Sequence, residues 1–91
     1  IIFEDHRFCF TGESTRAPRE EMEIIAIDRG AKVVSTVSRV LNYLVVGAGG
    51  NPCWSYACYG RKIEKAVQLR REGAPLLIIH ESDFFDAITE L

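Results

Sequence analysis

The chain is organised around the stretch Arg7-Phe8-Cys9-Phe10-Thr11-Gly12. Its continuous apolar run, Phe8-Cys9-Phe10, is typical of a short strand that is covered on both faces of a sheet. Gly12 carries no side chain, so the backbone can turn sharply where this strand ends. In parallel α/β sheets, ligands usually lie where a strand ends and the chain leaves toward a helix. Thr11 and Gly12 are therefore the first candidate site residues.

The rest of the chain predicts three further strands and three helices. In order, we predict a helix from Pro18 to about Arg29, strands at 30–34 and 42–47, a helix from Gly60 to about Glu72, a strand at 76–79, and a last helix, capped by Ser82, from Asp83 to about Glu90. Pro at a first helical position and Gly after a last one support these boundaries. The order β-α-β-β-α-β-α predicts an α/β fold with one four-stranded, largely parallel sheet covered on both faces by three helices.

Apolar positions indicate how two of the helices pack. Met22, Ile25 and Ala26 form one stripe of the first helix, whereas Ile24 and Ile27 lie on another side. We therefore expect this helix to touch both the sheet and another helix. The apolar contacts expected of the last helix are Phe84, Phe85, Ile88 and Leu91.

Composition limits the possible functions. The 91 residues make one domain, and because the first residue is Ile we expect a domain cut from a longer protein. With 11 Lys and Arg against 13 Asp and Glu, the net charge of -2 argues against a protein that coats nucleic acid by charge alone. Three Cys suit a reducing compartment, and no apolar run approaches the roughly 20 residues of a membrane span. A soluble intracellular domain is expected.

Enzymatic and metal chemistry find little support in the sequence. His6 and His80 are far from any recognisable nucleophile or carboxylate pair, so we interpret both as structural. Cys53 and Cys58 lack a second ligand pair, which disfavours zinc, and we expect neither a metal nor a cofactor. A small enzyme that uses one of these two thiols is the competing hypothesis. The Gly-rich segment 47–51 lacks a terminal Gly-Lys-Ser/Thr and is interpreted as a connector.

Two features favour binding. The predicted second helix carries five of the eleven basic residues, namely Arg61, Lys62, Lys65, Arg70 and Arg71. Lys62 and Lys65 are three residues apart, so both can reach one anion, although a solvated helix face explains the cluster equally well. The preceding segment 52–59 is rich in aromatic residues, including Trp54. These side chains can contact bases or a partner protein, or can pack over the start of the helix.

A series of short motifs then resembles a known family. The motifs are Phe10-Thr11-Gly12, Arg19-Glu20-Glu21, Gly30-Ala31-Lys32-Val33, Ser35-Thr36-Val37-Ser38, Asn42-Tyr43-Leu44-Val45-Val46-Gly47 and Lys62-Ile63-Glu64-Lys65-Ala66. In this order they resemble the BRCT domain of DNA replication and repair proteins, over nearly the whole chain. The most similar variety is the single BRCT domain of bacterial NAD-dependent DNA ligases and of the large subunit of replication factor C. The resemblance implies that the first and third helices cover one face of the sheet and the second helix covers the other.

The resemblance also implies a phosphate site. In BRCT domains that bind phosphate, the group is held by the Ser/Thr-Gly turn and a Lys of the second helix, which correspond to Thr11, Gly12 and either Lys62 or Lys65. In the single domains that bind DNA, an Arg at the start of the first helix joins them, and Arg19 matches it. The implied function is a non-catalytic module that binds the 5′-phosphate end of DNA, within a bacterial cytoplasmic or a nuclear replication or repair protein. The parent protein can itself be an enzyme, such as a DNA ligase or an exonuclease.

Alternatives and departures remain beside this interpretation. A module that recruits a protein partner or forms a homodimer, without binding DNA, is the alternative function, with Trp54 and Arg61 as candidate partner or base contacts. Thr11 can also simply stabilise its own turn. Where the family often has a Trp in the last helix this chain has Phe84 and Phe85, a change expected to keep the packing, and the aromatic segment 52–59 is not typical of the ligases.

Overall fold

The computed structural model describes residues 1–12, 14, 16–47 and 61–89, except for the side chain of Arg61. Within them the elements are β1 (Arg7–Thr11), α1 (Arg19–Asp28), β2 (Lys32–Val33), β3 (Tyr43–Val46), α2 (Arg61–Arg71), β4 (Leu77–His80) and α3 (Glu81–Thr89). The predicted order β-α-β-β-α-β-α is confirmed. None of the described helices is long and apolar enough to cross a membrane.

The four strands form one parallel sheet in the order β2-β1-β3-β4. The two inner strands, β1 and β3, are therefore hydrogen-bonded on both edges. Their register pairs Phe8 with Tyr43 and continues to Thr11 opposite Val46, so both strands end at the same level. The predicted parallel α/β fold is confirmed, and the carboxyl ends of β1 and β3 lie side by side.

The side chains of the inner strands alternate between the two faces of the sheet and contribute to two separate cores. On one face, Phe8 and Phe10 share a core with the buried residues of α1 and α3. On the other face, Cys9 shares a second core with Ile63 and Ala66 of α2. Because successive residues of a strand point to opposite faces, the unbroken apolar run serves both cores. The first and third helices thus cover one face and the second helix covers the other, as expected.

Aromatic rings fill the core beneath α3. The Phe84 ring is fully buried and meets the Phe10 ring edge-on, with centroids 5.3 Å apart and an interplanar angle of 90°. It also makes edge contacts with Phe3 and Phe8, at 5.9 and 6.3 Å. Such edge-to-face pairs are favourable beyond the area they bury. Phe84, with Phe85 buried beside it, therefore fills the apolar position expected of the last helix.

Helix α1 touches both the sheet and another helix, as expected, but Ile24 and Ile27 do not make the second contact. Their side chains are 58% and 55% exposed. The opposite stripe makes both contacts instead, because Met22 and Ala26 are buried in the core that α1 shares with the sheet and with α3. One buried face is enough when two helices lie side by side on the same sheet.

Two predicted helix starts shift slightly. Pro18 is the N-cap of α1 rather than its first helical residue, with φ -60° and ψ 150°. Helix α3 begins at Glu81, directly after β4, so Ser82 lies inside its first turn and is not the cap. The Ser82 amide instead donates a 3.1 Å hydrogen bond to Nδ1 of His80. Because α3 follows β4 without a loop, the last residue of the strand, His80, supplies the side-chain cap.

We predict a large difference in stability between substitutions at Phe84 and Ile24. Phe84→Ala should lower the free energy of unfolding by about 3–5 kcal/mol, because it removes a fully buried ring and leaves a cavity. Ile24→Ala should change it by less than about 0.5 kcal/mol, because that side chain lies mostly in solvent. Urea denaturation of both variants checks this. Similar losses would show that Ile24 is covered in the folded protein.

Candidate anion-binding site

The turn after β1 is built around Gly12. Its φ is +75°, in the left-handed region that favours glycine. A Cβ atom at this position would lie 3.2 Å from the carbonyl oxygen of Gly47, at the end of β3. Gly12 therefore allows both the backbone conformation and the close approach of the two strand ends. The predicted sharp turn is confirmed.

Thr11 lies on the face of the sheet that α2 covers. The alternation of side chains puts it on the same face as Cys9, two residues earlier. Its side chain is half-buried, at the level where β1 and β3 end. The Thr11 hydroxyl is thus held on a rigid strand end, as a precise hydrogen-bonding site requires.

Lys62 in the first turn of α2 lies next to this strand. Burial raises the pKa of the Cys9 thiol, and the charge of Lys62 and a hydrogen bond from it act in the opposite direction. Both effects require the Lys62 ammonium group to be near the Cys9 sulfur atom. Cys9 precedes Thr11 by two residues on the same face, so this cation lies beside the turn. The N-terminus of α2 adds the positive end of its helix dipole there.

Arg19 reaches the same turn from the opposite face of the sheet. It is the first residue of α1, and its guanidinium group donates a 3.3 Å hydrogen bond to the carbonyl oxygen of Gly12. The charge of Arg19 also lowers the pKa of the Cys9 thiol, whereas that of Glu23 raises it. The structure therefore brings together Thr11, Gly12, Arg19 and Lys62, four of the five residues predicted to bind phosphate.

An open cleft of about 860 Å³ borders the turn on the side of α1. It contains the basic residues Arg16 and Arg19 and the acidic residues Glu20 and Glu23. Because two basic and two acidic side chains line the cleft, it is not a basic surface that would attract any anion. Positive charge next to the turn comes from Arg19 and Lys62 specifically.

Sequence reasoning missed three residues near the turn. Ser14 Oγ accepts hydrogen bonds from the amides of Arg16 and Ala17, at 3.1 and 3.4 Å, and donates one to the carboxylate of Glu81. The Arg16 guanidinium carbon lies 5.1 Å from the centre of the Phe85 ring. A Ser in the loop before a helix signals a turn of this kind, but nothing in the sequence pairs it with Glu81.

The other predicted site residues stand as follows. Lys65 is exposed on α2, about 4.5 Å further along the helix axis than Lys62, and within the described residues no hydrogen bond or ion pair joins it to the turn. Outside the described residues lie Trp54 with the rest of segment 52–59, Cys53 and Cys58, the Gly-rich residues 48–51, and the side chain of Arg61. Within the described ranges, no group of three or more His, Cys, Asp or Glu could hold a metal ion.

Both histidines have hydrogen-bond partners close in sequence. Nδ1 of His6 lies 2.8 Å from the carbonyl oxygen of Glu4, and Nδ1 of His80 lies 2.9 Å from Oγ of Ser82. The Ser82 amide also donates to Nδ1 of His80, which makes this nitrogen the unprotonated one. These contacts fit the structural interpretation of both side chains.

Sequence comparison identifies a family and several relatives. The family model described as the BRCA1 C Terminus (BRCT) domain matches residues 1–70. The DNA ligase of Nitratidesulfovibrio vulgaris is 40% identical over 79 residues, which are 87% of this chain and 8% of the ligase. The DNA ligase of Mycoplasma mycoides is 34% identical over 87 residues, which are 96% of this chain and 11% of the ligase. The chain thus spans only 8–11% of the length of these two relatives.

Solved structures share the fold at low sequence identity. The Rad4 BRCT1,2 structure in complex with a Crb2 phosphopeptide superposes with a TM-score of 0.68 at 17% identity, over 96% of this chain and 40% of that one. The C-terminal BRCT domain of human XRCC1 gives a TM-score of 0.63 at 12% identity, over 94% of this chain and 77% of that one. Likeness at these identities supports the fold alone.

We predict that Gly12→Ala destabilises the protein more than Gly73→Ala. Both glycines have positive φ, +75° and +99°, so both variants lose about 1–2 kcal/mol to left-handed backbone strain. At Gly73 an added Cβ meets nothing within 4 Å, whereas at Gly12 it meets the Gly47 carbonyl. Urea denaturation should therefore show an additional loss of about 1 kcal/mol for Gly12→Ala. Equal losses would mean that the ends of β1 and β3 separate freely.

The raised pKa of Cys9 predicts a loss of stability at alkaline pH. Above about pH 9, near the ordinary value of 9.0, the unfolded chain releases the Cys9 proton while the folded chain keeps it. Rising pH therefore favours unfolding, by at most about 1.4 kcal/mol per pH unit from this group. Urea denaturation between pH 8 and 10 should show a steeper loss for the parent than for Cys9→Ala. Parallel profiles would contradict the raised pKa.

Proposed function

The chain belongs to the BRCT family, and we propose that it is a non-catalytic module that binds the 5′-phosphate end of DNA within a bacterial replication or repair protein. The observation that carries this proposal is the convergence of Lys62 and Arg19 on the Thr11-Gly12 turn from opposite faces of the sheet. Each cation lies in the first turn of its helix, and each helix begins at the carboxyl edge of the sheet.

A terminal phosphate fits the chemistry of this turn. The group carries up to two negative charges and several acceptor oxygens, so it is bound best by cations and hydrogen-bond donors together. Lys62 supplies a point charge with three donors, and Arg19 supplies a planar fork of donors. The Thr11 hydroxyl adds a neutral donor between them. Gly12 lets an oxygen approach the backbone without a side chain in the way.

The remaining charge on α2 favours DNA as the source of that phosphate. Lys65, Arg70 and Arg71 are exposed on the same helix, so a duplex whose end is held at the turn could place further phosphates near them. Contacts of this kind position the duplex without reading its sequence. The sequence relatives named above are bacterial DNA ligases. We extend the proposal to a parent protein of that class, in the bacterial cytoplasm, whose catalytic domains lie outside this chain.

Recruitment of a protein partner is the second candidate function. The exposed pair Ile24 and Ile27 on the outer side of α1 favours it, because adjacent large apolar side chains on a surface often mark an interaction site. Two solved Rad4 structures hold phosphopeptides, and a phosphate ester on a peptide has the same chemistry as a DNA 5′-phosphate. Self-association through the same pair would give a homodimer. Recruitment or self-association through Ile24 and Ile27 predicts no preference for a phosphorylated DNA end.

We predict that the domain binds recessed duplex DNA with a 5′-phosphate with about tenfold higher affinity than the same duplex with a 5′-hydroxyl. Thr11→Ala, Arg19→Ala and Lys62→Ala should each remove most of this preference. Lys32→Ala is the matched control, because Lys32 is exposed on β2 opposite Arg7, at the amino edge of the sheet. Fluorescence anisotropy titrations measure all of these affinities.

The salt dependence separates the turn from the rest of α2. Lys65→Ala should weaken binding to both duplexes by the same factor and reduce the dependence of affinity on salt, because Lys65 is proposed to contact the backbone and not the terminal phosphate. Equal affinity of the parent for both duplexes, or a preference that survives Thr11→Ala and Lys62→Ala, would refute binding of the DNA end. Sedimentation of the Ile24→Ser variant would then test self-association.

A further inference from the structure

Glu81 is a carboxylate in an unusual position. It is the first residue of α3 and is 1% exposed, and among the described residues it is the one charged side chain in the buried class. Burying a carboxylate is costly unless hydrogen bonds compensate for the lost water. Its carboxylate accepts a hydrogen bond from Ser14, a residue 67 positions earlier in the chain. The contact therefore joins the start of α3 to the loop that leads from the anion-binding turn to α1.

Ser14 transmits this contact to the backbone of that loop. A serine hydroxyl has one proton and two lone pairs. The hydroxyl donates its proton to Glu81, so its lone pairs face the other way and accept hydrogen bonds from the amides of Arg16 and Ala17. The carboxylate thus fixes the orientation of the hydroxyl, and the hydroxyl holds the backbone at Arg16 and Ala17, just before α1.

A second contact fastens the same loop to the same helix. The Arg16 guanidinium lies over the ring of Phe85, with 5.1 Å from its carbon to the ring centre. Phe85 follows Glu81 by four residues, so the two side chains lie on one face of α3. A cation over an aromatic face is attracted by the ring electrons. Helix α3 therefore holds the loop at two successive points.

We propose that Glu81 is a positioning residue for the anion-binding turn: through Ser14 it holds the β1–α1 loop in the conformation that lets Gly12, Thr11 and Arg19 receive a phosphate. The proposal rests on the proposed function, because it assigns Glu81 to the same site. Glu81 itself does not touch the phosphate. A negative charge in direct contact would repel that ligand, and burial beneath the loop keeps the carboxylate away from it.

A purely local role for Glu81 makes a different prediction. Any acidic residue in the first turn of a helix stabilises that helix through its dipole. Asp83 lies in the same first turn of α3 but is exposed, so it has this effect alone. Asp83→Ala is thus a matched control that removes the dipole contribution and leaves the loop contact intact.

The test measures the ratio of affinities for duplexes with a 5′-phosphate and with a 5′-hydroxyl, at a temperature where circular dichroism shows every variant fully folded. Ser14→Ala and Glu81→Ala should each reduce this ratio about threefold. The double variant should lose no more than either single variant, because both remove the same contact. Glu81→Gln should retain part of the ratio, since its amide oxygen still accepts from Ser14. Asp83→Ala should leave it unchanged.

A ratio that is unchanged in folded Ser14→Ala and Glu81→Gln, or losses that multiply in the double variant, would overturn the proposal. If Glu81→Ala fails to fold, the affinity ratios of Ser14→Ala and Glu81→Gln test the proposal instead. Hydrogen exchange at the amides of Arg16 and Ala17 gives a readout that needs no ligand. If the parent shows no phosphate preference, the proposed function fails, and exchange then decides the positioning role: faster exchange in Glu81→Gln supports it, and equal rates refute it.

Discussion

The structure depends on β1 being an inner strand with both faces covered. Each edge of β1 pairs with a parallel neighbour, and successive residues serve opposite cores, with Phe8 and Phe10 on one side and Cys9 on the other. Such a strand is held by hydrogen bonds on two edges and by packing on two faces. Any displacement of it therefore breaks hydrogen bonds or core contacts. The Thr11-Gly12 turn is the first part of the chain that leaves this scaffold. Its position is therefore set by the whole core and not by local propensity.

The same arrangement explains why a protein with net charge -2 can present a cationic site. Parallel strands bring the starts of the helices that follow them to one edge of the sheet, and those helices bring their first-turn side chains. Arg19 comes from the face covered by α1, and Lys62 comes from the face covered by α2. Acidic residues such as Glu20 and Glu23 remain on the nearby cleft. Positive charge at the turn is thus set by these two helix starts and not by the net charge of the chain.

Sequence patterns predicted those features that depend on local constraints. The run Phe8-Cys9-Phe10 predicted a doubly covered strand, and the glycine that follows Thr11 predicted the turn, whose φ is +75°. Features that depend on which surfaces meet were not predictable in this way. Ile24 and Ile27 resemble core residues, yet they face solvent because Met22 and Ala26 already make the contacts of α1. The partnership of Ser14 and Glu81 spans 67 residues, and a Glu that starts a helix normally indicates an exposed side chain.

Helix α3 contacts both the aromatic core and the loop that follows β1. Phe84 closes the aromatic core from above β1, while its neighbour Phe85 and the earlier Glu81 face the loop that follows β1. Nearby residues of one short helix therefore contact both the core around β1 and the loop that follows it. Because α3 follows β4 without a loop, its position is fixed directly by the edge of the sheet. The segment that follows β1 is thus held by the same sheet in two ways, directly through β1 and indirectly through β4 and α3.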